Sequence, residues 1–158
     1  MKLYVVIDPH AIGDRGPQEY GAVVSSSFRD DAVERSPRPH DVKRAKHLAG
    51  IDEAIEAYND GELDALDSMS VTQHGAPFQQ NVWAKMRRIA PGTVLTYAQL
   101  AAKAGSKNAY RAVGTTCAQN SVAPFVPCHR VVAANGLGGY GYGVELKVVL
   151  LEHEGYLL

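Results

Sequence analysis

Residues 96–120 constrain the fold more than any other stretch, because they contain the signals of two short helices and the turn between them. Thr96 followed by Gln99 is a capping-box pattern, in which the threonine opens a helix and the glutamine folds back on it. This Ala-rich helix is predicted to stop at Gly105, and a second helix can begin at Ala109. Two helices joined by a tight turn are typical of the helix-turn-helix, whose second helix reads nucleic acid. Many helical hairpins bind nothing, so a purely structural role stays open.

The other predicted elements divide the chain into two parts of different character. Short segments rich in Val, Tyr and Ile predict strands in the first part, and the second part is predicted to be mainly helical. The predicted strands are Leu3–Ile7, Tyr20–Ser26 and Met69–Gln73, a loop is predicted at Ser36–His40, and the predicted helices run from about Leu48 to Gly61, from Phe78 to Ile89 and from Val144 to Glu154. The expected fold class is α+β. A small N-terminal α/β domain over residues 1–75 precedes a mainly helical domain over 76–158 with a winged-helix-like helix-turn-helix.

Composition excludes several classes of protein. The chain is 46% hydrophobic and 21% charged, close to the globular average, which argues against disorder, collagen and coiled coil. No apolar run approaches the ~20 residues that a transmembrane helix needs. The apolar stretch at the N-terminus is too short for a secretory signal. Two cysteines in such a chain favour a reducing setting over a disulfide scaffold, so we expect a cytoplasmic protein with no membrane partner.

Charge is distributed unevenly along the 158 residues. The formal net charge of −1 argues at first against a nucleic-acid partner. Residues 1–75, however, carry 14 acids and 8 bases, whereas residues 76–158 carry 3 acids and 8 bases. No acid occurs between Asp67 and Glu145, and seven cations lie in that interval. Such a stretch is a candidate surface for a polyanion, although an ordinary solvated basic face has the same composition.

The segment around Cys128 carries the residues with chemical potential. A thiol becomes a strong nucleophile only as a thiolate, which needs a nearby base or positive charge, and His129 and Arg130 supply both in sequence. The alternative is an inert buried cysteine. Zinc is disfavoured because Cys117 and Cys128 are eleven residues apart with no CxxC pair, and a disulfide between them is disfavoured by the compartment.

The same segment, Pro127-Cys128-His129-Arg130-Val131, resembles the active-site motif of the alkylguanine-DNA alkyltransferases, which repair 6-O-alkylguanine. The resemblance covers roughly residues 78–155. Its further motifs are Phe78-Gln79-Gln80 with Val82-Trp83, Thr96-Tyr97 with Gln99-Leu100, Arg111-Ala112-Val113-Gly114, Asn120, Gly138-Gly139-Tyr140 and Leu150-Leu151-Glu152-His153-Glu154-Gly155. Residues 1–75 match the family only in size and coarse pattern.

The resemblance implies a self-consuming DNA repair protein. Cys128 is expected to attack the alkyl carbon and to keep it as a thioether, with His129 as base through a water and Glu154 orienting the imidazole. Asn120 is expected to brace the turn that carries the nucleophile, and Tyr97 to neutralise charge on the leaving guanine. Glu154 has a plainer interpretation, a solvated acid at the end of the last helix.

The resemblance also implies that the target nucleotide is flipped out of duplex DNA, with Arg111 filling the vacated stack and the second helix in the minor groove. The residues expected against DNA are Tyr97, Ser106, Arg111, Ala112, Gly114 and Arg130, and those expected to frame the base are Tyr97, Cys128, Val131, Tyr140 and Gly141. The partner is double-stranded DNA bound by a monomer. No cofactor is expected, and no metal, since the cysteines of the zinc site in some animal relatives are missing.

Two departures from the family pattern and three rival functions remain. Tyr110 stands where many relatives carry a small residue, and Tyr142 where some have glycine at the pocket's edge. A non-catalytic alkyltransferase-like protein would bind damage without repairing it, but such relatives replace the nucleophile that Cys128 retains. A Cys-His-Glu hydrolase on a similar scaffold would differ by regenerating its thiol. A transcription regulator, resting on the helix-turn-helix alone, is the weakest alternative.

Overall fold

A computed structural model describes residues 2–158 and divides the chain into two compact units. One unit contains Met1–Gln73 together with Ser121–Phe125, and the other contains His74–Asn120 together with Val126–Leu158. The α+β fold class expected from the sequence is confirmed. The single boundary predicted near residue 75 does not anticipate that Ser121–Phe125 belongs to the first unit. The physical reason is a pair of hydrogen bonds: Ser26 donates its N–H to the Ser121 carbonyl at 2.9 Å and its hydroxyl to the Ala123 carbonyl at 2.7 Å.

The first unit is built on an antiparallel pair of strands, β1 (Tyr4–Asp8) and β2 (Ala22–Ser27). The other edge of β2 is extended by isolated parallel bridges from Val23 to Val71 and from Ser26 to Val122. The predicted strand Met69–Gln73 is therefore wrong in extent, because its pairing is a single bridge. One helix, α1 (Ile51–Asn59), buries Ile51, Ala54 and Tyr58 and ends just before Gly61. The predicted loop at Ser36–His40 runs into a short 3-10 turn, Pro39–Asp41.

The second unit is mainly helical. Its elements are α2 (Pro77–Met86), β3 (Leu95–Thr96), α3 (Tyr97–Lys103), α4 (Tyr110–Ala118), β4 (Val131–Val132) and α5 (Val144–His153). α2 packs against both α3 and α4, and its inner residues Val82 and Met86 are fully buried. Leu100 of α3 and Val113 of α4 are also fully buried. Each such side chain contributes roughly 1.5–3 kcal/mol by leaving water, so this shared core holds the helix pair in place.

The predicted capping box at the start of α3 is confirmed. The Thr96 hydroxyl accepts the Gln99 N–H at 3.1 Å, and the Gln99 side chain accepts the Thr96 N–H at 2.8 Å. Gly105 follows the end of α3 by two residues, and its φ of +79° is the left-handed conformation that glycine adopts without strain. α4 then starts at Tyr110, one residue later than predicted. Together α3 and α4 form the expected helical pair.

A short 3-10 turn, Cys128–Arg130, leads into β4. β4 pairs in parallel with β3, with Leu95 opposite Val131 and Thr96 opposite Val132. Because β3 runs directly into α3 at Tyr97 and β4 directly follows Cys128–Arg130, this small ladder brings the start of α3 to the cysteine turn. It is the feature of the fold that positions the site.

Candidate active site

Cys128 lies at the start of the 3-10 turn and is 9% exposed. Asn120, just beyond α4 and 4% exposed, braces this turn. Its side-chain N–H₂ donates to the Val126 carbonyl at 2.8 Å and to Cys128 Sγ at 3.3 Å. An N–H directed at sulfur stabilises negative charge on it, so the contact favours the thiolate over the thiol. The structure thus brings together two residues that the sequence analysis paired.

His129 and Glu154 form a buried hydrogen-bonded pair. His129 Nε2 lies 2.9 Å from Glu154 Oε2, and the two residues are 1% and 3% exposed. Glu154 directly follows α5, and its backbone N–H donates to the Leu150 carbonyl at 3.0 Å. The turn at Gly92 packs on the same backbone, where a Cβ would come within 2.8 Å of the Glu154 carbonyl oxygen. The interpretation of Glu154 as a solvated acid is therefore wrong.

The expectation that Arg130 contacts DNA is also wrong. Its side chain is 1% exposed, and the guanidinium points inward. Nε donates to Glu154 Oε1 at 2.8 Å, Nη2 to Glu154 Oε2 at 2.9 Å, and Nη1 to the Ile89 carbonyl at 2.8 Å. The sequence shows only that a cation follows His129, and a buried acid 24 residues later is what turns that cation inward.

The ionisation of Glu154 decides the tautomer of His129. Burial would raise the pKa of Glu154, but hydrogen bonds and charge from Arg130 and His129 outweigh it and lower the pKa to about 2. At neutral pH Glu154 is therefore a carboxylate, which only accepts hydrogen bonds. A neutral His129 must then carry its proton on Nε2, which leaves the lone pair on Nδ1. The imidazole is set up as a base through Nδ1.

Tyr97 is half-buried at the start of α3, and its hydroxyl lies close to Gly138. A Cβ on Gly138 would meet the Tyr97 hydroxyl at 2.9 Å, so glycine is required for this close approach. Burial, and then negative charge on Cys117 and Cys128, raise the pKa of Tyr97. The hydroxyl therefore keeps its proton at neutral pH and is available as a hydrogen-bond donor near the thiol.

The outward face of α4 carries small side chains, the cationic Arg111 and one aromatic ring, Tyr110. Arg111 and Ala112 are exposed, Gly114 is half-exposed, and a Cβ on Gly114 would meet open space. Tyr110 is 48% exposed, and the Arg111 guanidinium lies 6.0 Å from its ring centre. Ser106 is half-exposed in the turn before the helix, between the exposed Lys103 and Lys107. Of the residues expected against DNA, all but Arg130 reach the surface.

Residues 77–156 match the family described as 6-O-methylguanine DNA methyltransferase, DNA binding domain. This span is half of the chain and contains every site residue named above. The chain belongs to that family. Relatives in that family are named methylated-DNA–protein-cysteine methyltransferase, and their DNA repair function extends to this protein.

Two curated relatives bear this name. The protein of Salmonella typhimurium is 44% identical over 115 residues, which span 72% of this chain and 67% of that one. The constitutive protein of Bacillus subtilis is 41% identical over 114 residues, or 71% and 68% of the two chains. A solved structure of Mycobacterium tuberculosis OGT in complex with DNA is 30% identical, with a TM-score of 0.74, and covers 96% of this chain and 91% of that chain.

The residues expected to frame the base differ in exposure within this methyltransferase. Val131 is fully buried, Tyr140 is half-buried and Gly141 is exposed. The rings of Tyr140 and Tyr142 meet edge to face, with centroids 5.6 Å apart and planes at 62°. This contact ties the unusual Tyr142 to a predicted pocket residue.

Sequence reasoning missed Lys147, which is fully buried in α5. Its ammonium donates to the carbonyls of Val131 at 2.7 Å, Leu137 at 2.6 Å and Gly139 at 3.0 Å. Burial lowers the pKa of Lys147, and negative charge on Cys128 and Cys117 opposes that shift. A lysine three and four positions before Leu150 and Leu151 shares their inward face, which is the signal that could have found it.

Within residues 2–158, no group of three His, Cys, Asp or Glu side chains is arranged to hold a metal ion. No helix in the described chain is long and apolar enough to cross a membrane.

Proposed function

We propose that this protein transfers the alkyl group of 6-O-alkylguanine in duplex DNA to Cys128, once and irreversibly. The observation that carries the proposal is the buried arrangement around the thiol. Asn120 donates to Cys128 Sγ, and the next residue along the turn is a histidine whose Nε2 is held by a carboxylate. Nucleophile, base and orienting acid are the parts that a cysteine needs for covalent chemistry.

The transfer reaction uses the thiol of Cys128, the imidazole of His129, the hydroxyl of Tyr97 and one water. The thiol proton passes to His129 Nδ1 through a water, and the thiolate attacks the alkyl carbon opposite the guanine oxygen. The new bond is carbon to sulfur, and the bond that breaks is carbon to oxygen, whose electron pair moves into the guanine ring. The Tyr97 hydroxyl donates a hydrogen bond to the leaving base, and guanine takes up one proton from solvent, which balances the thiol proton that His129 holds. The products are S-alkylcysteine and intact guanine, so the protein is consumed.

DNA binding is assigned to the outward face of α4. The related Mycobacterium tuberculosis protein was crystallised with DNA, and this chain covers 91% of it. Small side chains at Ala112 and Gly114 let the helix enter the minor groove, whose degenerate code suits a protein that acts wherever damage occurs. Arg111 fills the stack when the damaged nucleotide is flipped out. The exposed Lys103 and Lys107 supply contacts to phosphate.

We place this chemistry in a monomer in the cytoplasm. Cys117 and Cys128 both remain thiols, and a nucleophile of this kind works only while it is reduced. Each monomer acts on a single lesion.

Intact-mass spectrometry after mixing with a duplex that contains 6-O-methylguanine tests the proposal. We expect one added methyl group per protein at saturation, mapped by peptide analysis to Cys128 and absent from Cys128→Ala. Cys117 is the internal control, because burial raises the pKa of its thiol well above the ordinary range.

Each rival gives a different result. Turnover with excess duplex and an unmodified thiol would indicate a hydrolase. Binding without any mass change would indicate a non-catalytic damage binder. Methylation of Cys117 would disprove the assignment of the nucleophile.

A further inference from the structure

Arg130 is a buried cation that the proposed reaction has not yet used. It is the largest side chain in the fully buried core, and its guanidinium makes two hydrogen bonds to Glu154. Burying a charge stabilises a fold only weakly, because the lost hydration offsets the attraction within the ion pair. A role for this pair beyond stability is therefore worth testing.

Arg130 and His129 both bind the carboxylate of Glu154, but only Arg130 engages both of its oxygens. Arg130 takes Oε1 through Nε and Oε2 through Nη2, at 2.8 and 2.9 Å, while His129 Nε2 shares Oε2 at 2.9 Å. A planar fork engages both carboxylate oxygens at once and prevents the carboxylate from rotating. The third guanidinium nitrogen, Nη1, is fixed on the Ile89 carbonyl at 2.8 Å. The carboxylate that bonds His129 is thus held by Arg130 through both of its oxygens.

We propose that Arg130 is a positioning residue for alkyl transfer, which keeps Glu154 ionised and oriented so that His129 holds its proton on Nε2 and offers Nδ1 to the thiol. The inference rests on the proposed function, since it explains how His129 is prepared to act as base. Arg130 works through Glu154.

The chemistry of an unclamped Glu154 shows why the cation matters. Without Arg130, the buried carboxyl loses its strongest hydrogen bonds and burial favours its protonated form. A protonated carboxyl can donate its hydrogen to His129 Nε2. The imidazole proton then resides on Nδ1, which can no longer accept a proton from Cys128. One substitution would convert His129 from a base into a donor on the side of the thiol.

The unaltered protein provides the first test. In histidine labelled with ¹⁵N, the couplings between ring nitrogens and carbon-bound ring protons report the tautomer, and His129 is assigned by comparison with His129→Gln. We expect the neutral ring to carry its proton on Nε2. An Nδ1–H tautomer in the wild type would overturn the inference, whatever any variant does.

Variants provide the second test. Single-turnover rates on methylated duplex should fall roughly tenfold or more in Arg130→Met, up to the ~10²–10⁴-fold that general-base assistance supplies. Arg130→Lys keeps the charge without the fork and should lie between this variant and wild type. The rate of Arg130→Met should recover partly as pH rises, because more thiolate then forms unaided, and its His129 should populate the Nδ1–H form.

Arg87→Met is the matched control, because Arg87 is also a buried arginine of the same unit, at 5% exposed. It should lower the melting temperature while leaving the tautomer and the shape of the pH profile as in wild type. If Arg130→Met folds, transfers at the wild-type rate and keeps the Nε2–H tautomer, Arg130 is only structural. That outcome differs from failure of the proposed function, in which the wild type itself would gain no methyl group.

Discussion

The cysteine turn (Cys128–Arg130) and the outward face of α4 belong to the same unit but differ in burial and in hydrogen bonding. Around Cys128, the side chains of Asn120, His129 and Glu154 are buried. Asn120 donates to Cys128 Sγ at 3.3 Å, and His129 Nε2 lies 2.9 Å from Glu154 Oε2. On α4, Arg111 and Ala112 are exposed, and Gly114 has empty space where a side chain would stand. Activation of a thiol requires buried partners in fixed positions. Binding to a long polyanion requires an accessible surface with small and cationic side chains.

The difference predicts how substitutions separate. Changes in the cysteine turn should alter the rate of transfer and leave DNA affinity intact. Changes on α4 should alter DNA affinity and its dependence on salt, with the intrinsic reactivity of the thiol unchanged. Any substitution that moves both readouts equally would break this division.

His129→Ala should have the largest effect among variants that keep the nucleophile. Loss of the base should reduce the single-turnover rate by roughly 10²–10⁴-fold at neutral pH. Raising the pH should restore part of the rate, because hydroxide then produces thiolate without the imidazole. DNA affinity, measured on unmethylated duplex, should stay at the wild-type value. A rate independent of both the substitution and pH would show that another group activates Cys128.

Glu154→Gln should change how the free energy of unfolding depends on pH, because it removes the carboxylate that His129 and Arg130 bind. The pKa of Glu154 is about 2 in the folded chain, against an ordinary value of 4.5, so the folded state favours the carboxylate. Relative to the protonated form, the carboxylate adds roughly 3 kcal/mol from that shift, and this difference is present above pH 4.5 and lost as the pH falls towards 2. Urea unfolding at several pH values should therefore show a gap between wild type and variant that closes in this window.

The control is Glu152→Gln, which alters an exposed acid two residues earlier on α5. Its gap from wild type should be small at every pH. A Glu154→Gln gap that stays constant from neutral pH to pH 2 would contradict the low pKa.

Much of the fold and of the candidate site could be predicted from the sequence, and the predictions that failed share one cause. The capping box at Thr96 and the glycine stop at Gly105 depend on neighbours in sequence, so both are readable locally. The proposal that Cys128 is the nucleophile likewise rests on a contiguous motif. Arg130 was misassigned because its partner Glu154 lies 24 positions away. The spacing of Lys147 from Leu150 and Leu151 indicates an inward face, but its three acceptors are backbone carbonyls, which the sequence does not mark. Burial of a charge is decided by tertiary packing, and residue type alone does not show it.

Arg111→Ala should separate binding from chemistry on the α4 side. Transfer from methylated duplex should fall by roughly ten- to a hundredfold, because the vacated stack is no longer filled and unstacking costs a few kcal/mol. Transfer from the free 6-O-alkylguanine base should stay near the wild-type rate, since nothing has to be flipped. Lys107→Ala is the control, because an exposed phosphate contact should lower affinity evenly and make it less dependent on salt. Equal losses on duplex and free base would place Arg111 in the support of the fold.

Gly114→Ala should give the smallest change, and it tests the α4 face because its effects on stability and on DNA affinity have opposite signs. Glycine in a helix costs up to about 1 kcal/mol relative to alanine. The added Cβ meets nothing within 4 Å and the glycine has no positive φ, so the variant should be more stable than wild type in urea. Affinity for duplex should nevertheless fall, since the methyl group stands where the helix meets the groove. Ala84→Leu, which enlarges an exposed position on α2, should leave affinity unchanged. If Gly114→Ala gains stability and keeps full affinity, the helix does not approach DNA at this residue, and the glycine has another cause.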